Sequence, residues 1–125
     1  MRIYLDNCAL NRPFDDQSHI RIRLESEAKL YLQEKITNRQ IEFIWSYILD
    51  IENDQNPFEE KRRAIVEKWK KFAIVNISEA ESLLKTANKL IIYGIKTKDA
   101  LHVSSAIAGK ADYFITTVDI LNKNY

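Results

Sequence analysis

The sequence predicts an α/β fold, a three-layer α/β/α arrangement around a central parallel sheet. Three observations predict it. Four short apolar runs read as strands, at residues 2–5, 41–45, 72–77 and 111–117. Helical periodicity or helix-start signals fill the intervals between them, over residues 18–37, 46–71 and 78–109. Strands that alternate with helices in this way build parallel sheets covered on both faces. A chain of 125 residues suits one domain with one core, here residues 1–125 without repeat, linker or low-complexity tract.

Each element has a local reason. RIYL, at 2–5, is a buried strand bounded by Asp6, and Arg12-Pro13-Phe14-Asp15-Asp16 is a turn. Over 18–37, Ile20, Leu24, Ala28 and Tyr31 form an apolar helical face, with Arg21, Arg23, Glu25, Lys29 and Lys35 mostly elsewhere. IEFIW, at 41–45, is the second strand. Ser46 begins a helix to about Asp54, and Pro57 restarts one that runs to about Lys71. FAIVNI, at 72–77, is the third strand. Ser78 with Glu81 makes a capping-box pattern, and Ala80, Leu83, Leu84, Ala87, Leu90 and Ile91 trace the next helical stripe. Gly94 closes that helix, Thr97 caps the following one, and Gly109 ends it. ADYFITT, at 111–117, is the fourth strand, and the chain stops soon after, as expected either of a small four-stranded domain or of a C-terminal truncation lacking a last strand.

Composition narrows the function. The net charge of +1 is not the strongly basic total of a nucleic-acid binder, although KRRAIVEKWKK (61–71) is locally basic. That run is either a basic binding face or a solvated helix face. Trp69 within it reads as a core residue, as does Trp45, rather than as a base-stacking platform. Two glycines exclude the Gly-rich phosphate loops. Zinc-type Cys/His spacing is absent, so a bound metal would be held by oxygens, as Mg²⁺ or Mn²⁺ is. No apolar run approaches the roughly 20 residues of a membrane span, and no signal-peptide pattern opens the chain. The expected compartment is the cytoplasm, in keeping with the single cysteine, Cys8.

Four carboxylates adjoin segments that read as core: Asp6, Glu52, Asp99 and Asp119. A buried carboxylate is costly unless a cation or hydrogen bond compensates it, so four together suggest a shared cation. In an open parallel sheet the site lies beyond the carboxyl ends of the strands. Asp6 ends the first strand and Asp119 follows the fourth. Glu52 shares a helix face with Ile48, and Asp99 opens a helix stripe with Val103 and Ile107. Each acid also has a plainer reading taken singly: Asp99 as a first-turn acid, Asp119 as a cap, Asp6 as a turn residue.

In three segments the chain resembles the PIN domain family of metal-dependent ribonucleases, common among toxins of toxin–antitoxin pairs. IYLDNCALNRPFDD resembles the family's first strand ending in Asp. SYILDIE resembles its Ser-then-Glu segment. KDALHVSSAIAGKADYFITTVD is the most specific match, with an acid at a helix start and Thr-x-Asp after a strand. The resemblance implies that Asp6, Glu52, Asp99 and Asp119 are the catalytic and metal-binding acids. It implies Mg²⁺ or Mn²⁺ as cofactor and hydrolysis of an RNA phosphodiester by a metal-activated water. Thr117 would orient a ligand, and Asn7 would supply a supporting polar contact where Cys8 replaces the family's usual Asn or Ser. Arg12 and Lys98 are candidate phosphate contacts, or else solvated. The expected partners are an RNA substrate, an antitoxin protein and a second copy of the chain, with no membrane.

Other acids read differently. Asp112, at the entrance of the fourth strand, is a turn or capping residue, while Asp50 and Asp54 flank Glu52 and point away. Asp50 reads as solvated, exchanging roles with Glu52 only if the helix register differs. His102 reads as a hydrogen-bonded helix histidine before a catalytic base. Two other functions compete. One is a PIN-like binding module without catalysis. The other is a receiver-like phosphotransfer domain, which FAIVNI fits poorly because it offers no acid.

Overall fold

The computed structural model of the chain describes residues 1–11 and 20–116. Its strands are β1 (Arg2–Leu5), β2 (Glu42–Ser46), β3 (Val75–Ile77) and β4 (Tyr113–Ile115). The helices are α1 (Asn7–Asn11), α2 (Ile20–Thr37), α3 (Tyr47–Asp54), α4 (Glu59–Lys68), α5 (Glu81–Ile92) and α6 (Thr97–Ala108), with a 3₁₀ turn at Lys70–Phe72. The four strands form one sheet in the order β3-β2-β1-β4, with every pair parallel. Helices flank it in a three-layer α/β/α arrangement.

The core is the apolar content of the two central strands. Ile3, Tyr4 and Leu5 of β1 and Phe43, Ile44 and Trp45 of β2 are all buried. They read as continuous apolar runs because both faces of a parallel sheet are covered. Trp69 is buried and packs edge-on against Phe43 at 5.7 Å, so the basic run around it is anchored inward by its aromatic ring. Its charged neighbours are occupied locally: Arg63 pairs with Glu59, and Lys70 with Asp50.

Gly109 shows how closely α6 approaches the sheet. A Cβ there would lie 2.9 Å from Cγ2 of Ile44, a fully buried core side chain with no room to retreat. At the strand entrances Arg2 ties three parts together. Its backbone N–H donates to Asp112 at 2.8 Å, and its guanidinium reaches Glu42 and the Gly109 carbonyl. Asp112 is thus the turn residue expected at that end.

Several local expectations are corrected. The apolar face of α2 does not face the core: Ile20, Leu24 and Tyr31 are each more than half exposed, and Ala28 is exposed too. The helix instead buries Ser26, Lys29 and Ile36. The third strand keeps only Val75–Ile77, because Phe72 ends a 3₁₀ turn and Ala73 serves as its cap. Ser78 caps nothing: α5 begins at Glu81 after Ala80, without a side-chain cap bond. Thr97 is the first residue of α6 rather than its cap, which is Lys96. Val103 and Ile107 do not line a buried stripe with Asp99, since Ile107 is exposed and α6 buries Ala100, His102, Ser104, Ser105 and Ala106.

Candidate functional site

The chain starts in the middle of the sheet, winds outward through β2 to β3, and then crosses to β4 on the other side of β1. The reversal makes the carboxyl ends of β1 and its neighbours the topological switch point, where open α/β sheets bind ligands. Asp6, Thr116 and Ser46 all stand at this edge.

Asp6 is buried directly after β1. Its backbone N–H donates to the Ile115 carbonyl at 3.2 Å, extending the β1–β4 ladder by one residue. Its carboxylate is held at both oxygens. Oδ1 accepts the Ala9 N–H at 2.9 Å, capping α1, and Oδ2 accepts the Thr116 hydroxyl. A carboxylate fixed in this way has one orientation toward the edge.

Glu52 reaches the same region from α3. Ser46 caps that helix by accepting the Leu49 N–H, which sets the turn that aims Ile48 inward and Glu52 along the same face. The Glu52 side chain is 13% exposed, and its Oε1 meets Nε2 of His102 from α6. Asp50, two residues earlier, is committed elsewhere and does not exchange roles with Glu52. It accepts the Trp45 indole N–H at 2.9 Å and pairs with Lys70 at 2.7 Å, so it is a structural partner rather than the solvated acid expected.

Asp99 stands half-buried in the first turn of α6. Burial pushes its carboxyl above the usual range, and the negative charge of Asp6 pushes it further. His102 and Lys96 pull it back, and Glu52 adds a further push. Asp6 from β1 and Glu52 from α3 therefore both bear on Asp99 of α6 through their negative charge.

No family model, curated protein or solved structure matches this chain.

The oxygen-only donors and the accumulated negative charge recorded by Asp99 fit a hard divalent cation such as Mg²⁺ or Mn²⁺. The fit is one of charge and donor type. Among the described residues, no three Asp, Glu, His or Cys side chains lie together closely enough to hold a metal ion. Asp119, Thr117 and Arg12 lie outside the described residues. Asn7 does not support Asp6: its side-chain oxygen accepts from Asn11 within α1. Lys98 is exposed beside Asp99, but it is Lys96 whose charge acts on that carboxyl.

Two contacts were not anticipated. The first is Thr116, whose hydroxyl holds Asp6. Register carries the signal for it: once Leu5 pairs with Ile115, Asp6 must face Thr116. The second is the His102–Glu52 contact, between residues fifty positions apart. The His102 ring bonds at both nitrogens and is 3% exposed, which suits the hydrogen-bonded helix histidine expected better than a base open to substrate.

Proposed function

We propose that the chain is a PIN-like, divalent-metal-dependent endoribonuclease, acting in the cytoplasm as the toxin of a toxin–antitoxin pair, with an antitoxin protein and a second copy of the chain as partners. The observation that carries this reading is the gathering of Asp6, Glu52 and Asp99 near the switch point of a parallel sheet, where the Asp99 carboxyl is displaced upward first by burial and then by the charges of Asp6 and Glu52. Like charges gathered at a binding edge call for a cation, and the resemblance to PIN ribonucleases in three ordered segments supplies the reaction class.

The resemblance implies Asp6, Glu52 and Asp99 as holders of Mg²⁺ or Mn²⁺, with Asp119 as the fourth acid, and since no three such side chains lie closely enough among the described residues, an ion would have to draw them together. A divalent ion there would polarise water and offset charge on the scissile phosphate. The residues of the chain supply orientation. Ala9 and Thr116 fix Asp6, and His102 fixes Glu52. Lys98, exposed one position away from Asp99, would be the contact for a substrate phosphate.

RNA cleavage in Mg²⁺ or Mn²⁺ tests the reading. Asp6→Asn keeps the shape of the α1 cap but removes the charge, and should slow cleavage by about 100-fold or more, since even supporting residues around a metal are worth 10–100-fold. Cleavage at the unaltered rate in that variant sinks the reading. The bond between His102 and Glu52 favours a second reading, a PIN-like module that binds without cutting. RNA binding with no metal-dependent cleavage by the unaltered chain selects it.

A further inference from the structure

The helix α2 (Ile20–Thr37) is built inside out. The residues it turns toward the domain are Ser26, Lys29 and Ile36, all buried. Ser26 Oγ donates to the Ile22 carbonyl at 2.7 Å, so the polar part of that face is satisfied where it is. Ile20, Leu24 and Tyr31 are more than half exposed, and Ala28 is exposed beside them. At about 3.6 residues per turn these four share one stripe, on the side of the helix away from Lys29. A helix of a globular domain ordinarily turns its apolar stripe to the core, and a contiguous exposed one marks an interaction surface.

The charges along the stripe select its occupant and the direction in which it lies. One flank carries Arg23, Glu27 and Glu34, all exposed. Among the described residues, Arg23 and Glu34 take part in no ion pair. The flank is therefore basic toward the start of the helix and acidic toward its end. A second copy laid antiparallel brings Arg23 near Glu34 of the other copy, and the two-fold axis makes this contact twice. A parallel copy would set Arg23 beside Arg23 and Glu34 beside Glu34.

The spacing of the apolar residues agrees. A two-fold axis between Glu27 and Ala28 sets Leu24 against Tyr31 of the other copy, again twice. It puts Ala28, the smallest residue of the stripe, at the crossing, where two helices come closest. Glu27 is the one charge brought near its own counterpart. From Ile20 to Tyr31 the stripe is about 16 Å long, enough for one helix laid across it. Such an interface falls at the small end of specific complexes, so association depends on concentration.

We infer that α2 is a dimerisation helix: its exposed Ile20, Leu24, Ala28 and Tyr31 pack antiparallel on the same stripe of a second copy, with Arg23 and Glu34 paired across the two-fold axis. The inference rests on the reading above only in taking up its second copy, and neither metal nor RNA enters it.

Sedimentation velocity of the full chain, in a chelator and without RNA, tests it over about 1–500 μM, the range in which a micromolar dimer forms. The unaltered chain should pass from monomer to dimer as its concentration rises. Leu24→Asp, which places a charge in the stripe of each copy, should weaken association by about 100-fold with the helix content unchanged. Arg23→Glu or Glu34→Arg alone turns two attractions into repulsions and should weaken it by about 10-fold. The double variant, which exchanges the two charges, should recover most of that loss.

A chain that stays monomeric throughout overturns the inference and leaves the reading of the acidic edge standing. A chain that dimerises through α2 but cleaves no RNA supports the inference and overturns the ribonuclease. Dimers that Leu24→Asp does not weaken use another surface and overturn it. Single charge variants that associate as the unaltered chain does overturn the antiparallel pairing. Where Leu24→Asp loses helix content, Tyr31→Ser carries the same test: weaker association supports the stripe, and unchanged association overturns it.

Discussion

Replacing Asp99 by Asn is expected to raise the melting temperature of the metal-free chain and, at the same time, to abolish Mn²⁺-dependent RNA cleavage. The two effects have one cause. The Asp99 carboxylate is disfavoured first by burial and then by the charge of Asp6, with Glu52 adding to it. Its first-turn position on α6 favours an acid by about 0.3–1 kcal/mol, and the attraction of Lys96 and His102 works the same way. The net displacement is nevertheless upward, so the ionised group opposes folding of the metal-free chain. Asn removes the charge at nearly constant volume. Such opposition between stability and function is common where like charges are gathered for a ligand.

The pH dependence has a definite sign. A carboxyl whose folded pKa is raised takes up its proton in the native state first, so the metal-free chain gains stability as pH falls through the raised folded value, down to the ordinary value of about 3.9. Above that window the carboxylate's cost is present in full. Asp99→Asn should lose the acid-side gain. Cleavage by the variant should fall by about 100-fold or more, as for a direct ligand. Thermal melts in a chelator at two pH values, with cleavage assays beside them, check all three outcomes.

Trp45→Ala should produce the largest loss of stability, about 3–5 kcal/mol, the range for emptying a buried large aromatic site. Trp45 is fully buried on β2, edge-on to Phe43 at 6.2 Å. Its indole N–H holds Asp50 of α3, and the Lys70 ammonium sits 5.9 Å from the ring. The loss is a large share of the roughly 5–15 kcal/mol that holds a domain together. It also touches the site, because Trp45 adjoins the Ser46 cap and pins the first turn of the helix that carries Glu52. Urea unfolding should show the midpoint falling with little change in slope. Trp45→Phe, which keeps an aromatic ring and loses the bond to Asp50, should cost substantially less.

Much of this architecture is legible in the residues. RIYL and EFIWS are apolar on both strand faces, and only a covered parallel sheet buries both. The strand-end rule then brings Asp6, Glu52 and Asp99 to one edge from sequence positions that share no local pattern. What periodicity does not specify is a partner. Ile20, Leu24, Ala28 and Tyr31 form a helical stripe, yet the structure leaves that stripe exposed and buries Ser26 and Lys29. Apolar residues at helical spacing mark a face without saying what covers it. Register is similarly hidden. The pairing of Leu5 with Ile115 in β4 is what sets Thr116 against Asp6. The contact of His102 with Glu52 depends on how α3 and α6 meet over the sheet, which no spacing within either helix encodes.

The central claim is that the acids at the end of β1 and on α3 and α6 form a divalent-cation site. Thermal melting of the unaltered chain in Mn²⁺ against a chelator tests it most directly, because a cation bound only by the native state must raise stability, by about 2.7 kcal/mol at a hundredfold excess over its dissociation constant. The expected result is a melting temperature that climbs with Mn²⁺ concentration, and climbs much less in Glu52→Gln. A melting temperature that does not respond to Mn²⁺ or Mg²⁺ would contradict the claim.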